Sequence, residues 1–402
     1  MKLKLGILTV ARILVFLEII ALAVSTAATS VVEILIFVTV LGAPSLRARL
    51  FASLKQPMVV MALVLYAMVG LGILYSVVPF SEGLDAWGSW RKYLLLPFVV
   101  ALFDETIWKQ RFAVFFIGLM TLAAILSISG YLLDFTVYRK FPVGVIIDNH
   151  ATQGIFFSAA VFTCMVLIKF SSKITIPSKW IFWVAAGILA ISILFVTPGR
   201  SGYLAFMVYG ILMVFFNTKG FIRITLTLIV PFVVLTTLMM SPVANDRIKS
   251  GFSEMQTYEE DAKITSMGVR IIFWKNTLTL LRKMEHPIFG YGTNGFKAAY
   301  SPQVEGQTGW QGQPTDDPHN QFLKIWVENG LVGLFAFLLF IATFFRQNVP
   351  QPYYHLGIGV VLAWCATSMF SGHFTTFHDG RFILVWTGVM LAWVQPKETE
   401  MV

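Results

Sequence analysis

The residues most suited to chemistry stand at the ends of long apolar segments. His319 and Asn320 follow Asp316-Asp317-Pro318 and open one such segment. An imidazole that titrates near neutrality can take a proton from a hydroxyl attacking an electrophile. The plainer role for a histidine at a helix start is that of a cap-region residue. Arg200 lies in Thr197-Pro198-Gly199-Arg200-Ser201-Gly202, a turn between two apolar segments. Its planar fork matches phosphate oxygens, and the amides opening the next helix favour an anion. The competing reading is an arginine that snorkels to anchor a helix end. Arg270 heads Arg270-Ile271-Ile272-Phe273-Trp274. There it is either a second phosphate ligand or an i,i+4 stacking partner of Trp274.

The neighbouring polar residues admit several roles. Asp316 and Asp317 can hydrogen-bond His319, cap the next helix or bind a metal. Capping is favoured, since Asp suits a helix N-terminus and two adjacent acids make too few metal ligands. Glu259, Glu260 and Asp261 read as a solvated run, so no metal site is assigned and none is expected. Asn320 either orients His319 or caps the helix. Lys324 and Glu328 are placed to pair at i,i+4. Asp148-Asn149-His150 opens another apolar segment, and His373, His378, Asp379 and Arg381 flank the last one. His373, His378 and Arg381 either bind an acidic acceptor or line a turn. Arg12 and Glu33 fall inside early apolar segments as buried polar contacts.

The elements that must position these groups are membrane helices. Hydrophobic residues make up 57% of the 402 and charged residues 13%, with a mean hydropathy of +0.74; these values lie far from soluble averages. Spacing predicts about twelve membrane helices, at 7–24, 29–44, 57–78, 91–103, 112–133, 151–169, 180–197, 201–217, 222–241, 320–345, 354–371 and 381–394. The second and fourth are short enough to tilt or re-enter, and the first reads as a retained signal anchor. The net charge of +9 does not indicate nucleic acid, because the basic residues are scattered at helix ends. Cys164 and Cys365 lie inside apolar segments, so no disulfide or zinc framework is written.

Basic residues such as Arg47, Arg49, Lys55, Lys109, Arg111 and Lys169 collect in alternate connections. That bias places both termini in the cytoplasm and residues 242–319 outside. The organisation is then 1–241 as membrane helices, 242–319 as an outer loop or cap, and 320–402 as the last helices and a short tail. The loop runs about 80 residues, too long for mere connection. Within it Met267, Ile271, Trp274, Leu278 and Leu281 form an apolar stripe at helical spacing. Residues 301–318 read as a mobile loop. At about 100° per residue, His319, Leu323, Trp326, Gly330 and Gly333 share one helix face. Its glycines would let a neighbouring helix or lipid approach.

The order of these motifs over residues 180–345 resembles that of bacterial O-antigen ligases and their polymerase relatives. The shared pattern is an Arg turn at Arg200, a long outer loop and Arg270 with Trp274. Pro287-Ile288-Phe289-Gly290-Tyr291-Gly292 follows, then His319-Asn320 with Gly330 and Gly333. The Asp148-Asn149-His150 opening is similar to an Asn-rich helix start in that family, although His150 departs from its pattern. The resemblance implies an all-α C-type glycosyltransferase (GT-C) fold in the bacterial inner membrane, its active site facing the periplasm. It implies a donor of undecaprenyl diphosphate-linked O-antigen and an acceptor of lipid A–core oligosaccharide. His319 would be the general base and Arg200 and Arg270 the diphosphate ligands, in an inverting transfer without cofactor or metal. Asn320, Asp317, Trp274, His150, His373 and Arg381 would support the site or bind acceptor.

Other functions share parts of this signature. An O-antigen polymerase uses the same donor with a second lipid-linked glycan as acceptor, and a protein O-oligosaccharyltransferase tends to carry a larger outer portion. A flippase or secondary transporter also has many helices and few buried charges. Transporters gather those charges near the midplane, often in repeated halves. Here they gather at one face beside one long loop, which favours an enzyme.

Overall fold

The structure is a computed structural model that describes residues 6–136, 142–172, 178–197, 199–240 and 266–394. Among these residues it is helical throughout, with no strand. The amino-terminal part comprises α1 (Ile7–Val24), α2 (Thr26–Gly42), α3 (Pro44–Ser53), α4 (Pro57–Leu71), α5 (Phe80–Ser89), α6 (Leu95–Leu102) and α7 (Thr106–Leu132). The middle comprises α8 (His150–Lys169), α9 (Lys179–Ile191), α10 (Arg200–Asn217) and α11 (Gly220–Met240). Then come α12 (Ser266–Arg282), α13 (Phe296–Val304), α14 (Gln321–Phe345), α15 (Tyr353–Thr367) and α16 (Phe377–Leu391).

All twelve predicted membrane segments are helical, with ends displaced by less than two turns. Their number as full spans is corrected. Among the described residues, eight helices are long and apolar enough to cross a membrane, or nine if α2 and α3, bent by 104°, form one span. The protein is therefore a multi-pass membrane protein. The shortfall lies in α6, with 8 residues, and in α15 and α16, with 15 each. At 1.5 Å per residue they reach about 12 and 22 Å, against a hydrocarbon layer of about 30 Å. Their apolar character serves packing, since from Phe377 to Leu391 only Phe377 and His378 escape burial. By contrast α11 turns most of its apolar surface outward, Phe221, Ile222, Leu228 and Phe232 among it.

Buried charges fasten the interior. Arg381 on α16 sets its Nε 2.7 Å from Glu33 Oε1 on α2. Arg12 on α1 reaches Asp104 at 2.9 Å and Glu105 at 2.8 Å. Both early charges are thus buried polar contacts, as the sequence indicates. Lys109 donates to the carbonyls of Val389 and Ala392 at 2.8 and 2.7 Å. These carbonyls end α16, where the helix dipole favours a cation.

The segment from 266 to 304 carries its own small core. Ile272, Phe273, Leu280 and Met284 of α12 and its end pack on Phe296, Tyr300 and Val304 of α13 and on Val327 of α14. The face that α12 buries is rotated from the predicted stripe. Leu278 is exposed, Trp274 is half-buried, and Ile272 and Phe273 point inward. Four consecutive large apolar residues, Ile271 to Trp274, leave the periodicity ambiguous there. Residues 301–304 continue α13, and Gly309–Gly312 forms a short 3-10 turn within the predicted loop.

The glycine stripe on α14 also has a different meaning. Gly330 leaves the helix at φ 63° and ψ −163°, a conformation suited to glycine. The 287–292 turn enters this break. Tyr291 N–H and Gly292 N–H donate to Val327 and Glu328 carbonyls at 3.0 and 2.8 Å, while Leu331 and Val332 donate to Pro287 and Ile288 carbonyls at 2.9 and 3.1 Å. The backbone groups freed by the break are satisfied inside protein, as a membrane-depth interruption requires. The close approach at Gly330 is by this turn, not by a helix or lipid.

Candidate functional site

Arg200 is positioned by a glycine crossing and a buried glutamine. A methyl added to Gly154 of α8 would lie 2.8 Å from Gly202 Cα, and one on Gly202 would lie 2.6 Å from Gly154 Cα. Only small residues allow α8 and α10 to meet so closely, and Gly199 rests on the His150 carbonyl for the same reason. Gln153 then fixes the turn. Its Nε2 donates to Gly144 O at 2.9 Å and Thr197 Oγ1 at 3.1 Å, while its Oε1 accepts from Ile146 N at 2.6 Å. The half-buried Arg200 follows at the first residue of α10.

Arg200 and Arg270 line one cavity. Its volume is about 190 Å³, and its walls are Arg200, Ser201 and Leu204 of α10, Met267 and Arg270 of α12, and Phe370. Phe370 comes from the segment between α15 and α16 and packs against Trp274, their rings tilted by 47° with centroids 5.6 Å apart. The Trp274 indole N–H donates to Pro318 O at 2.9 Å. A continuous path of contacts thus runs from the arginine cavity to the residue preceding His319. Trp274 was read as a supporting residue, and it holds the histidine segment against α12.

His319 lies before the helix, not on its face. Its φ of 53° is left-handed, and its backbone N–H donates to Asp317 Oδ1 at 2.8 Å. Asn320 is the N-cap, accepting from Phe322 N and Leu323 N at 3.0 and 3.1 Å. Its Nδ2 donates to Met369 O at 3.1 Å. Of the two roles open to Asn320, capping is the one it takes; Asp316 and Asp317 do not cap this helix, and Asp317 stabilises the backbone of His319. The imidazole lies nearly parallel to Phe273, at 6.2 Å and 18°. Burial holds its pKa below the usual histidine value; Asp317 and Asp316 pull it up, and Arg270 and Lys324 press it down. Burial thus favours the neutral, proton-accepting form of this imidazole.

The other predicted ligands are placed differently. His373 and Arg381 are each about 2% exposed. His373 Nδ1 pairs with Asp379 Oδ2 at 2.8 Å, and Arg381 pairs with Glu33. Both side chains are buried and paired inside the bundle, which does not support the first of their two readings, that of acceptor ligands. His150 opens α8 behind Asn149, whose Oδ1 accepts from Ala151 N at 2.8 Å. His378 Nδ1 lies 3.3 Å from Asp148 Oδ2, and this contact holds the Asp148 carboxyl below its ordinary pKa. Lys324 and Glu328 line a second, polar cavity together with Asp317 and Gln321. Among the described residues no three His, Cys, Asp or Glu side chains converge as metal ligands; Glu259, Glu260 and Asp261 lie outside those residues.

Three participants escaped the sequence reading. Phe273 and Phe370 carry no chemical signal, and only the fold brings them to His319 and to the arginines. Gln321 has no role in the sequence analysis, although a polar side chain opening an apolar helix at position 321 is a signal.

A curated protein of Haemophilus influenzae strain Rd, described as uncharacterized, is 32% identical over 212 residues, or 50% of this chain and 52% of that protein. The chain thus spans about half the length of that relative. The family model described as O-antigen ligase matches residues 185–338, from within α9 through α10, α11, α12 and α13 into α14. This stretch contains Arg200, Arg270, Trp274, His319 and Asn320, and over residues 185–338 the chain carries a domain of the O-antigen ligase family.

Proposed function

We propose that the protein is an O-antigen ligase of the bacterial inner membrane. It would transfer a glycan from undecaprenyl diphosphate to a sugar of lipid A–core oligosaccharide on the periplasmic face. The observation that carries this reading is the shared Arg200–Arg270 cavity, joined through Phe370 and Trp274 to the His319 segment. Two guanidinium groups suit a diphosphate, and a neutral imidazole beside them suits deprotonation of a hydroxyl.

In this mechanism His319 takes the proton of the acceptor hydroxyl as its oxygen bonds to the anomeric carbon. The bond from that carbon to the diphosphate oxygen breaks on the opposite face, which inverts the configuration. The negative charge passes to the diphosphate, where Arg200 and Arg270 stabilise it as it grows. The donor is already activated, so no nucleotide enters the scheme, and the two guanidinium groups would do the electrostatic work of a divalent metal. Asn320 and Trp274 hold the base in place, and Asp317 fixes its backbone.

The test is transfer by purified protein. Lipid-linked glycan is supplied with lipid A–core or with more lipid-linked glycan, and the product is identified. Glycan on lipid A–core supports ligase activity, glycan lengthened on its carrier assigns a polymerase, and no transfer to either contradicts the enzyme reading.

A further inference from the structure

A second, polar cavity of about 290 Å³ is lined by Asp317, Gln321, Lys324, Glu328 and Trp90. Gln321, Lys324 and Glu328 recur at i, i+3 and i+7, so the first two turns of α14 present one polar face to it. Gln321 is fully buried. Its Oε1 accepts from Thr375 Oγ1 at 3.1 Å, whereas its Nε2 finds no partner among the described residues. A buried donor without a partner is costly, and here it lines the cavity. The preceding residues connect this cavity to the base, since Asp317 both lines it and accepts the His319 N–H.

We infer that this cavity binds the acceptor, as the seat of an uncharged sugar ring whose hydroxyl is delivered to His319. The inference rests on the glycosyltransferase reading and adds the acceptor site to it. The wall offers donors in Gln321 Nε2 and Lys324 Nζ and acceptors in Asp317 and Glu328. A hydroxyl both donates and accepts, so a polyol satisfies all of them. A phosphate only accepts and would face two carboxylates. The Trp90 ring provides the flat apolar surface that sugar C–H faces need. The volume lies at the small end for ligand pockets, about 300–1,000 Å³, which suits one ring with the remaining glycan outside. The two cavities share no lining residue, so donor and acceptor would have separate seats.

Binding tests this independently of turnover. Deacylated core oligosaccharide from the host bacterium is titrated into detergent-purified wild type, Gln321→Glu and Lys324→Met, with binding of lipid-linked glycan to each measured in parallel. Gln321→Glu keeps an acceptor for Thr375 and replaces the amide donor with a carboxylate oxygen, which cannot donate and adds a negative charge; Lys324→Met removes the other donor without adding a charge. The expected result is at least about tenfold weaker oligosaccharide binding in both variants, with lipid-linked glycan binding unchanged, which also shows that the variants fold. If the wild type ignores core oligosaccharide and the variants lose a second lipid-linked glycan instead, the cavity stands and the acceptor becomes that of a polymerase. Unchanged acceptor binding in both variants, or weakened donor binding, overturns the cavity assignment and leaves the ligase reading intact. A wild type that binds neither glycan overturns both.

Discussion

The Trp274 indole N–H donates to the carbonyl of Pro318 across 2.9 Å. This bond joins the helix that carries Arg270 to the segment that carries His319, so the distance between the proposed base and the proposed phosphate ligands depends on it. Trp274→Phe keeps an aromatic ring against Phe370 and loses the bond. Small displacements of reacting groups are expensive, about 10²-fold for 1 Å. We expect kcat to fall roughly ten- to a hundredfold, with donor binding and thermal stability nearly unchanged. Loss of protein from the membrane in this variant would make the bond a folding contact.

The arginines should resist conservative exchange. Lys supplies a point charge in place of the planar fork, so Arg200→Lys should lose nearly as much transfer as Arg200→Ala. Arg270→Lys should behave likewise, and each variant should raise the donor KM. Full activity of Arg200→Lys would reduce its role to a charge or an anchor.

The pH profile should report His319. Because burial lowers its folded pKa beneath the ordinary value near 6.5, the imidazole is neutral and competent at pH 7. The acid limb of kcat/KM should therefore inflect below pH 6.5. Asp317 raises this pKa, so Asp317→Asn should move the limb lower still, while Arg270→Ala should move it higher. The same group links pH to stability. Between the folded pKa and about 6.5 the unfolded chain binds more protons, so stability falls as pH drops through that window. A limb that moves upward in Asp317→Asn would contradict the assigned base.

Orientation is checked at Gln307, an exposed residue after α13. Gln307→Cys in a cysteine-free background should react with an impermeant maleimide from the periplasmic side. Reaction from the cytoplasm alone would place the arginine cavity on the wrong side of the membrane for this donor.

Much of the architecture is legible in hydropathy, because an apolar run of membrane length can do little but form a helix. Length separates α14 from α15 and α16, yet their burial depends on neighbours hundreds of residues away. Arg381 illustrates this. A charge near a helix end reads as ligand-facing, and its partner Glu33 is 348 positions distant. Gly330 misled for another reason, since a glycine at helical spacing signals close contact without saying whether the helix survives it. His319 and Arg200 stand out in the sequence as polar groups at apolar segment ends, whereas Arg270 is singled out only by its spacing to Trp274 and the resemblance that this spacing carries. What brings them together is invisible in sequence: Phe370, the Gly154–Gly202 crossing and the Trp274 bond.

The most direct measurement is the transfer reaction of His319→Ala, with lipid-linked glycan and lipid A–core as substrates. Loss of a general base commonly lowers rate about 10²–10⁴-fold. Turnover should fall by that much while the variant inserts, remains monodisperse and binds donor as wild type does. Turnover within a few-fold of wild type, in a variant that binds donor normally, would leave His319 as a residue of the helix start and contradict the account.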